Sequence, residues 1–163
     1  MSVVFRAFVY VVVGLIALAW FVPSLIADLS PSRLFFLGLP IACFGLAIYL
    51  WTVWLFAFAG RGTPLPIDPP RALVVRGPYR LVRNPMAVGF LLIFVGEAIA
   101  FGSAGILAYA AFLFLAIHLF ITLVEEPGLK RRFGVPYAAY LESVPRWCPR
   151  ISAPKRRAGR EAE

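Results

Sequence analysis

Histidine, cysteine and long polar stretches are what this sequence of 163 residues has least of. The single histidine, His118, cannot make a multi-histidine metal centre. The two cysteines, Cys43 and Cys148, fall in an apolar run and in the C-terminal segment, without neighbouring ligand types. Neither a metal site nor a disulfide is expected from them. No polar stretch is long enough to build a separate soluble domain. The first apolar run has no clear small-x-small cleavage site before Asp28 and exceeds the apolar region of a typical signal peptide. It is therefore expected to be retained as a membrane span.

Apolar residues, by contrast, make up 61% of the chain, where a soluble domain is nearer about half. They gather in four runs, at residues 3–26, 34–59, 86–101 and 106–124. At about 1.5 Å per residue the second reaches roughly 39 Å and the third about 24 Å, against a hydrocarbon core of ~30 Å. The fold class expected is all-α: an integral membrane bundle of four transmembrane helices. Residues 1–151 are read as one domain and residues 152–163 as a basic disordered tail.

Net charge is +8, and its placement carries more information than its size. With four spans, every Lys and Arg except Arg33 falls on one side. The positive-inside rule makes that side the cytoplasm, so both termini are expected there. The basic excess is read as topology, with membrane lipids as partners through their anionic headgroups and no nucleic acid. Self-association of so small a body is compatible with the sequence.

Segments between the runs have their own patterns. Residues 60–84 begin so rich in Pro and Gly that helix and sheet interior are excluded. Leu73-Val74-Val75 follows, then Tyr79 between Gly77-Pro78 and arginines. An ordered re-entrant or interfacial loop is expected. The turn Gly102-Ser103-Ala104-Gly105 is short and uncharged, so the third and fourth spans are expected to pack antiparallel. The fourth helix is expected to continue through Glu125-Glu126, with Pro127 kinking it or opening a new helix and Phe133-Gly134 ending that piece. Residues 137–144 read as a short amphipathic helix with Tyr137, Tyr140 and Leu141 on one side. Trp51 and Trp54 suit an interfacial aromatic belt.

On an uninterrupted α-helix, His118, Thr122, Glu125 and Leu129 share one stripe, with Glu126 roughly 80° away. A histidine and a carboxylate two turns apart would then face one cavity. Hydrogen bonding to a neighbouring helix is the alternative role for His118. Glu97, inside the third run, costs about 2.5–3.5 kcal/mol to insert unless it faces protein or water. It is either functional or structural near the outer surface. Gly89 and Gly96 lie on one face of that run and admit either another helix or a ligand. Glu125-Glu126 stands where the surroundings favour Lys and Arg. An ion pair with Arg80 or Arg83 is one explanation, ligand binding another.

Three segments carry a family resemblance. Arg83-Asn84-Pro85-Met86-Ala87-Val88-Gly89 resembles the Arg-His/Asn-Pro-x-Tyr-x-Gly stretch of the isoprenylcysteine carboxyl methyltransferases and phospholipid methyltransferases. Glu125-Glu126-Pro127-Gly128-Leu129 resembles their Glu-Glu-x-x-Leu. Phe133-Gly134, Tyr137, Tyr140 and Val144-Pro145 resemble the Phe-Gly-x-x-Tyr-x-x-Tyr and Val-Pro that follow. The likeness spans residues 77–149 and rests on the order and membrane positions of these motifs.

The resemblance implies S-adenosyl-L-methionine as cofactor, held beneath a cytoplasmic cofactor-binding cap and open sideways to a lipid-like acceptor. The acceptor would be an isoprenylcysteine-type carboxylate or a phospholipid amine. It implies Tyr79, Arg83, Asn84, Pro85, Gly89, Glu125, Glu126 and Leu129 as cofactor-binding residues, and His118 and Arg83 at the catalytic centre. Two positions depart from the pattern. The motif tyrosine is Ala87, so that a wall or hydroxyl of the cofactor site is either missing or supplied elsewhere, with Tyr79 as the candidate. The arginine that isoprenylcysteine enzymes place one turn before the glutamate pair is Ile121, which weakens that acceptor specifically. A non-enzymatic membrane scaffold and an NADPH-dependent membrane reductase are the alternative readings.

Overall fold

The computed structural model describes residues 14, 17–59, 73 and 75–149, with 56–59 as backbone only. Most of the first apolar run, the Pro/Gly-rich start of the 60–84 segment and the 152–163 tail lie outside the described residues. Among the described residues all regular structure is helical.

Helix α1 (Ala17–Ile26) contains a π turn (Ala17–Phe21) and carries Pro23 just after it. Helix α2 (Phe35–Ala59) is unbroken despite Pro40. A 3₁₀ turn (Gly77–Arg80) leads into α3 (Pro85–Phe101). Helix α4 (Ala104–Phe120) runs through a π turn (Ile121–Glu125) into α5 (Glu126–Phe133). Helix α6 (Val135–Ser143) follows Gly134. Two stretches, Phe35–Leu55 and the continuous Ala104–Phe133, are long and apolar enough to cross a membrane. Helices α1 and α3 are shorter apolar helices. Among the described residues, two of the four expected runs are of spanning length and the third run is short, while most of the first lies outside the described residues. Phe36, Phe44, Phe112 and Leu123 project outward and exposed, as side chains that meet lipid would.

Helix ends follow local chemistry. Gly102 adopts φ 62°, the left-handed conformation that ends α3 and that a Cβ disfavours. Ser103 then caps α4, its Oγ accepting from the Ile106 N–H at 3.2 Å. Ser32, in the turn before α2, donates its N–H to Ala100 O at 2.8 Å and its hydroxyl to Ile99 O at 2.9 Å. These bonds satisfy terminal carbonyls of α3 and tie the turn before α2 to the end of α3.

The α2–α3 seam is built from small residues. A Cβ on Gly45 would lie 2.6 Å from Gly89 O, and one on Gly89 would lie 2.7 Å from Gly45 O and 2.8 Å from Tyr49 N. Gly38 meets the backbone of Gly96 and Ala100, and Gly96 meets Ala42. The backbones are in direct contact, the close approach that small residues permit in membrane helices. This decides between the two readings of Gly89 and Gly96: both face a helix. Below the seam Tyr49, Val53 and Ile93 form a buried cluster, with Ala19, Met86 and Phe90 packed on it. On the far side of α3, Phe94 meets Tyr109 edge-on at 5.3 Å and joins α4. The seam thereby fixes the start of α3, where Asn84 and Pro85 stand.

Candidate functional site

Glu126 is where three parts of the chain converge. Its Oε1 accepts from Arg83 NH1 at 2.8 Å and from Arg146 Nε at 2.9 Å, and its Oε2 accepts from Arg146 NH2 at 2.8 Å. Arg146 thus grips the carboxylate with two parallel bonds, the strong geometry of this pairing. The Glu126 and Arg83 side chains are only 14% and 15% exposed, so water screens the group weakly. That hydrogen bond to Glu126 is the first reason the Arg146 guanidinium is pushed above its ordinary value.

The π turn explains why Glu126 holds this place. The N–H of Glu126 donates to Ile121 O, an i→i−5 bond. Pro127 follows, with no N–H to give to the turn before it. One π turn absorbs one extra residue, so later side chains lag by about 100°. Glu126, otherwise about 80° from His118, therefore comes within about 20° of its stripe. Glu125 swings away and is exposed. The expected His118–Glu125 alignment is corrected on this ground: the carboxylate two turns above the histidine is that of Glu126.

Residues 144–149 form a strap across this end of α4. Arg83 N–H donates to Pro145 O at 2.8 Å, and Asn84 Nδ2 donates to Arg146 O at 3.4 Å. Beside Arg146, Trp147 donates its indole N–H to His118 Nδ1 at 3.2 Å. Phe114 stacks on His118 with centroids 5.9 Å apart and meets the Trp147 ring at 5.1 Å. Adjacent strap residues thus hold Glu126 and His118, one on each side of the π turn.

Tyr137, Tyr140 and Val144 pack the strap down, with Leu73, Leu129, Phe133 and Leu141 against them. Tyr140 donates its hydroxyl to Tyr79 O at 2.8 Å. Burial raises the Tyr140 phenol above its ordinary range, Tyr137 adding to the effect and Arg83 opposing it. It stays a donor at any physiological pH. Burial first, then Glu126 and Glu125, push the Tyr137 phenol up to about 12, with Arg83 and Arg146 opposing. Tyr79 is buried against Leu55, and its phenol is raised by burial, then by the nearby charge of Glu125 and by Tyr140.

The structure thus gathers Tyr79, Arg83, Asn84, His118, Glu125, Glu126 and Leu129 at one end of the molecule. Leu129 packs against the Tyr137–Tyr140–Val144 cluster, Pro85 is a buried first residue of α3, and Gly89 is turned to the α2 seam. Arg83 is the arginine that pairs with Glu126, while Arg80 is exposed. Arg146 and Trp147 were not singled out in the sequence. Their only local signal is one aromatic–basic pair between two prolines. Among the described residues Glu125 makes no hydrogen bond or ion pair, and Arg83 Nε is buried without a hydrogen-bond partner. Glu97 Oε2 is likewise buried without a partner among the described residues, but it lies near the opposite end of α3. No group of His, Cys, Asp and Glu among the described residues could hold a metal ion.

Residues 34–135 match a family model described as phospholipid methyltransferase. The match covers more than half of the chain, from α2 to the start of α6, and includes Arg83, His118, Glu125 and Glu126. Arg146 and Trp147 lie beyond it. No curated protein matches the chain significantly.

Proposed function

The chain belongs to the phospholipid methyltransferase family, and from that premise we propose that it is a membrane-embedded, S-adenosyl-L-methionine-dependent methyltransferase acting on a lipid-like acceptor. The observation that carries this reading is the pair of uncommitted groups flanking the Glu126 fork. A buried N–H without a partner costs free energy that a ligand acceptor recovers. Arg83 Nε, so placed, suits the carboxylate of the cofactor. Glu125, unpaired beside Tyr79, suits its hydroxyl and ammonium groups.

When bound, S-adenosyl-L-methionine supplies an activated methyl group to a nucleophile. What the chain's own residues do is position and exclude. The fork locks Arg83 so that its remaining donor keeps a fixed direction, and the tyrosine cluster shuts water out from the cap side. Orientation of this kind contributes more to methyl transfer than acid–base chemistry would. Exposed Arg76, Arg80, Lys130, Arg131 and Arg132 surround this end, and by the positive-inside rule it is the cytoplasmic one. The exposed apolar faces of α2 and α4 give an amphipathic acceptor access from the bilayer.

Calorimetry on the detergent-purified protein tests the reading. S-adenosyl-L-methionine and S-adenosylhomocysteine are expected to bind, and Glu125→Gln is expected to weaken both at least tenfold, about 1.4 kcal/mol, as the loss of one charged hydrogen bond predicts. The circular dichroism of that variant should match wild type, because Glu125 holds no other element. Unchanged affinity in Glu125→Gln removes the site assignment. No binding of either ligand removes the cofactor and favours the scaffold or reductase reading.

A further inference from the structure

We propose that Trp147 is a positioning residue that fixes His118 in the neutral tautomer protonated at Nε2, so that His118 serves the reaction as a hydrogen-bond donor to an oxyanion of the acceptor headgroup. An indole nitrogen can only donate. With Trp147 Nε1 at 3.2 Å from His118 Nδ1, the Nδ1 lone pair is the acceptor. A neutral imidazole with an accepting Nδ1 carries its proton on Nε2. His118 therefore has no free lone pair with which to take a proton, and its open position is an N–H.

Two features make this more than a packing contact. The ring is held on its face by Phe114, stacked at an interplanar angle of 25°. Trp147 is itself anchored, because its neighbour Arg146 is bound to Glu126 through Nε and NH2. The strap thus sets the histidine's rotation and its proton together. An oxygen anion close to the nucleophile is what an N–H beside a methyl-transfer site would orient, whether it comes from a phosphodiester or a carboxylate. The donor role rests on the methyl-transfer reading; the tautomer does not.

The chain's single histidine makes the test unambiguous. The full-length protein, purified in micelles with a histidine-free tag and carrying ¹⁵N-histidine, is examined by NMR at neutral pH. The expected result is a protonated Nε2 and an unprotonated Nδ1. In Trp147→Phe the Nδ1-protonated fraction should rise about fivefold, the equivalent of one lost hydrogen bond. A wild-type spectrum dominated by Nδ1–H or by imidazolium overturns the tautomer, and so does a ratio that ignores Trp147→Phe. If that variant does not fold, the wild-type spectrum decides alone. Short-chain phosphatidylethanolamine and S-farnesylcysteine are then added to separate wild-type samples. A shift of Nε2 with either supports the donor role and names the source of the oxyanion. No shift with both overturns the donor role, while cofactor binding by calorimetry still stands or falls separately.

Discussion

Glu126→Ala is expected to loosen the strap from the start of α5 and to lower stability by about 3 kcal/mol. That is the lower end of the cost of removing one partner from a buried ion pair. The lower end applies because Arg146 is 29% exposed and regains some water. The change leaves two guanidinium groups, those of Arg83 and Arg146, facing each other without the carboxylate between them. It cuts three hydrogen bonds and leaves, among the described residues, the Trp147–His118 bond as the remaining side-chain tie between strap and helix. Unfolding in detergent should show the loss, and trypsin should cleave at Arg146 at concentrations that leave wild type intact. The variant should also lose cofactor binding. Combining it with Arg146→Ala should cost less than the two changes summed, because they break the same contact. Full additivity would show that the two residues act independently and that the fork carries no stability.

Gly96→Val is expected to disrupt the α2–α3 pair. A Cβ at Gly96 would lie 2.7 Å from Ala42 Cβ and 2.8 Å from Ala42 Cα, and closer still to its backbone nitrogen. Overpacking a core by added methylenes costs about 1–3 kcal/mol when side chains can shift. Here the obstacle is main chain within a helix and cannot move aside, so the cost should exceed that range. Loss of the monodisperse species on size exclusion, with a lower melting temperature, would report it. Gly128 gives the control, having nothing within 4 Å of an added Cβ. Gly128→Ala should be neutral or stabilising by up to about 1 kcal/mol through helix propensity. Equal effects at the two positions would mean that the seam is not a backbone contact.

Much of this architecture was legible in the sequence because hydrophobic runs and breakers determine it. The run at 34–59 became α2 within a residue at its start, since Ser-Pro-Ser precedes it. The turn at Gly102 and the tyrosine face of α6 followed from the same local chemistry. What escaped depended on phase and distance. The stripe calculation assumed a uniform 3.6-residue period, and a π turn ahead of Pro127 broke that assumption. Arg146 joined Glu126 across twenty residues of chain, for which no local pattern speaks. The dual reading of Gly89 and Gly96 stayed open because their partners, Gly38, Ala42 and Gly45, had not been matched to them. Gly38 and Ala42 have small-xxx-small spacing, but only a second helix gives it meaning. The family match reaches the glutamates and Arg83 but ends at residue 135, before Arg146 and Trp147.

The π turn at Ile121–Glu125 makes this helix tolerant of one kind of length change and intolerant of the other. It holds one residue more than an α-helical path between His118 and Glu126 needs. Deleting a residue inside the turn would let it relax to α-helix and leave Glu126 above His118, at about the same angle. Inserting one between Phe114 and His118 would rotate the histidine's side by about 100° and part Trp147 from its acceptor. In a lineage of such chains, the helix could therefore lose a residue here silently, while any gain one turn earlier would register as lost function.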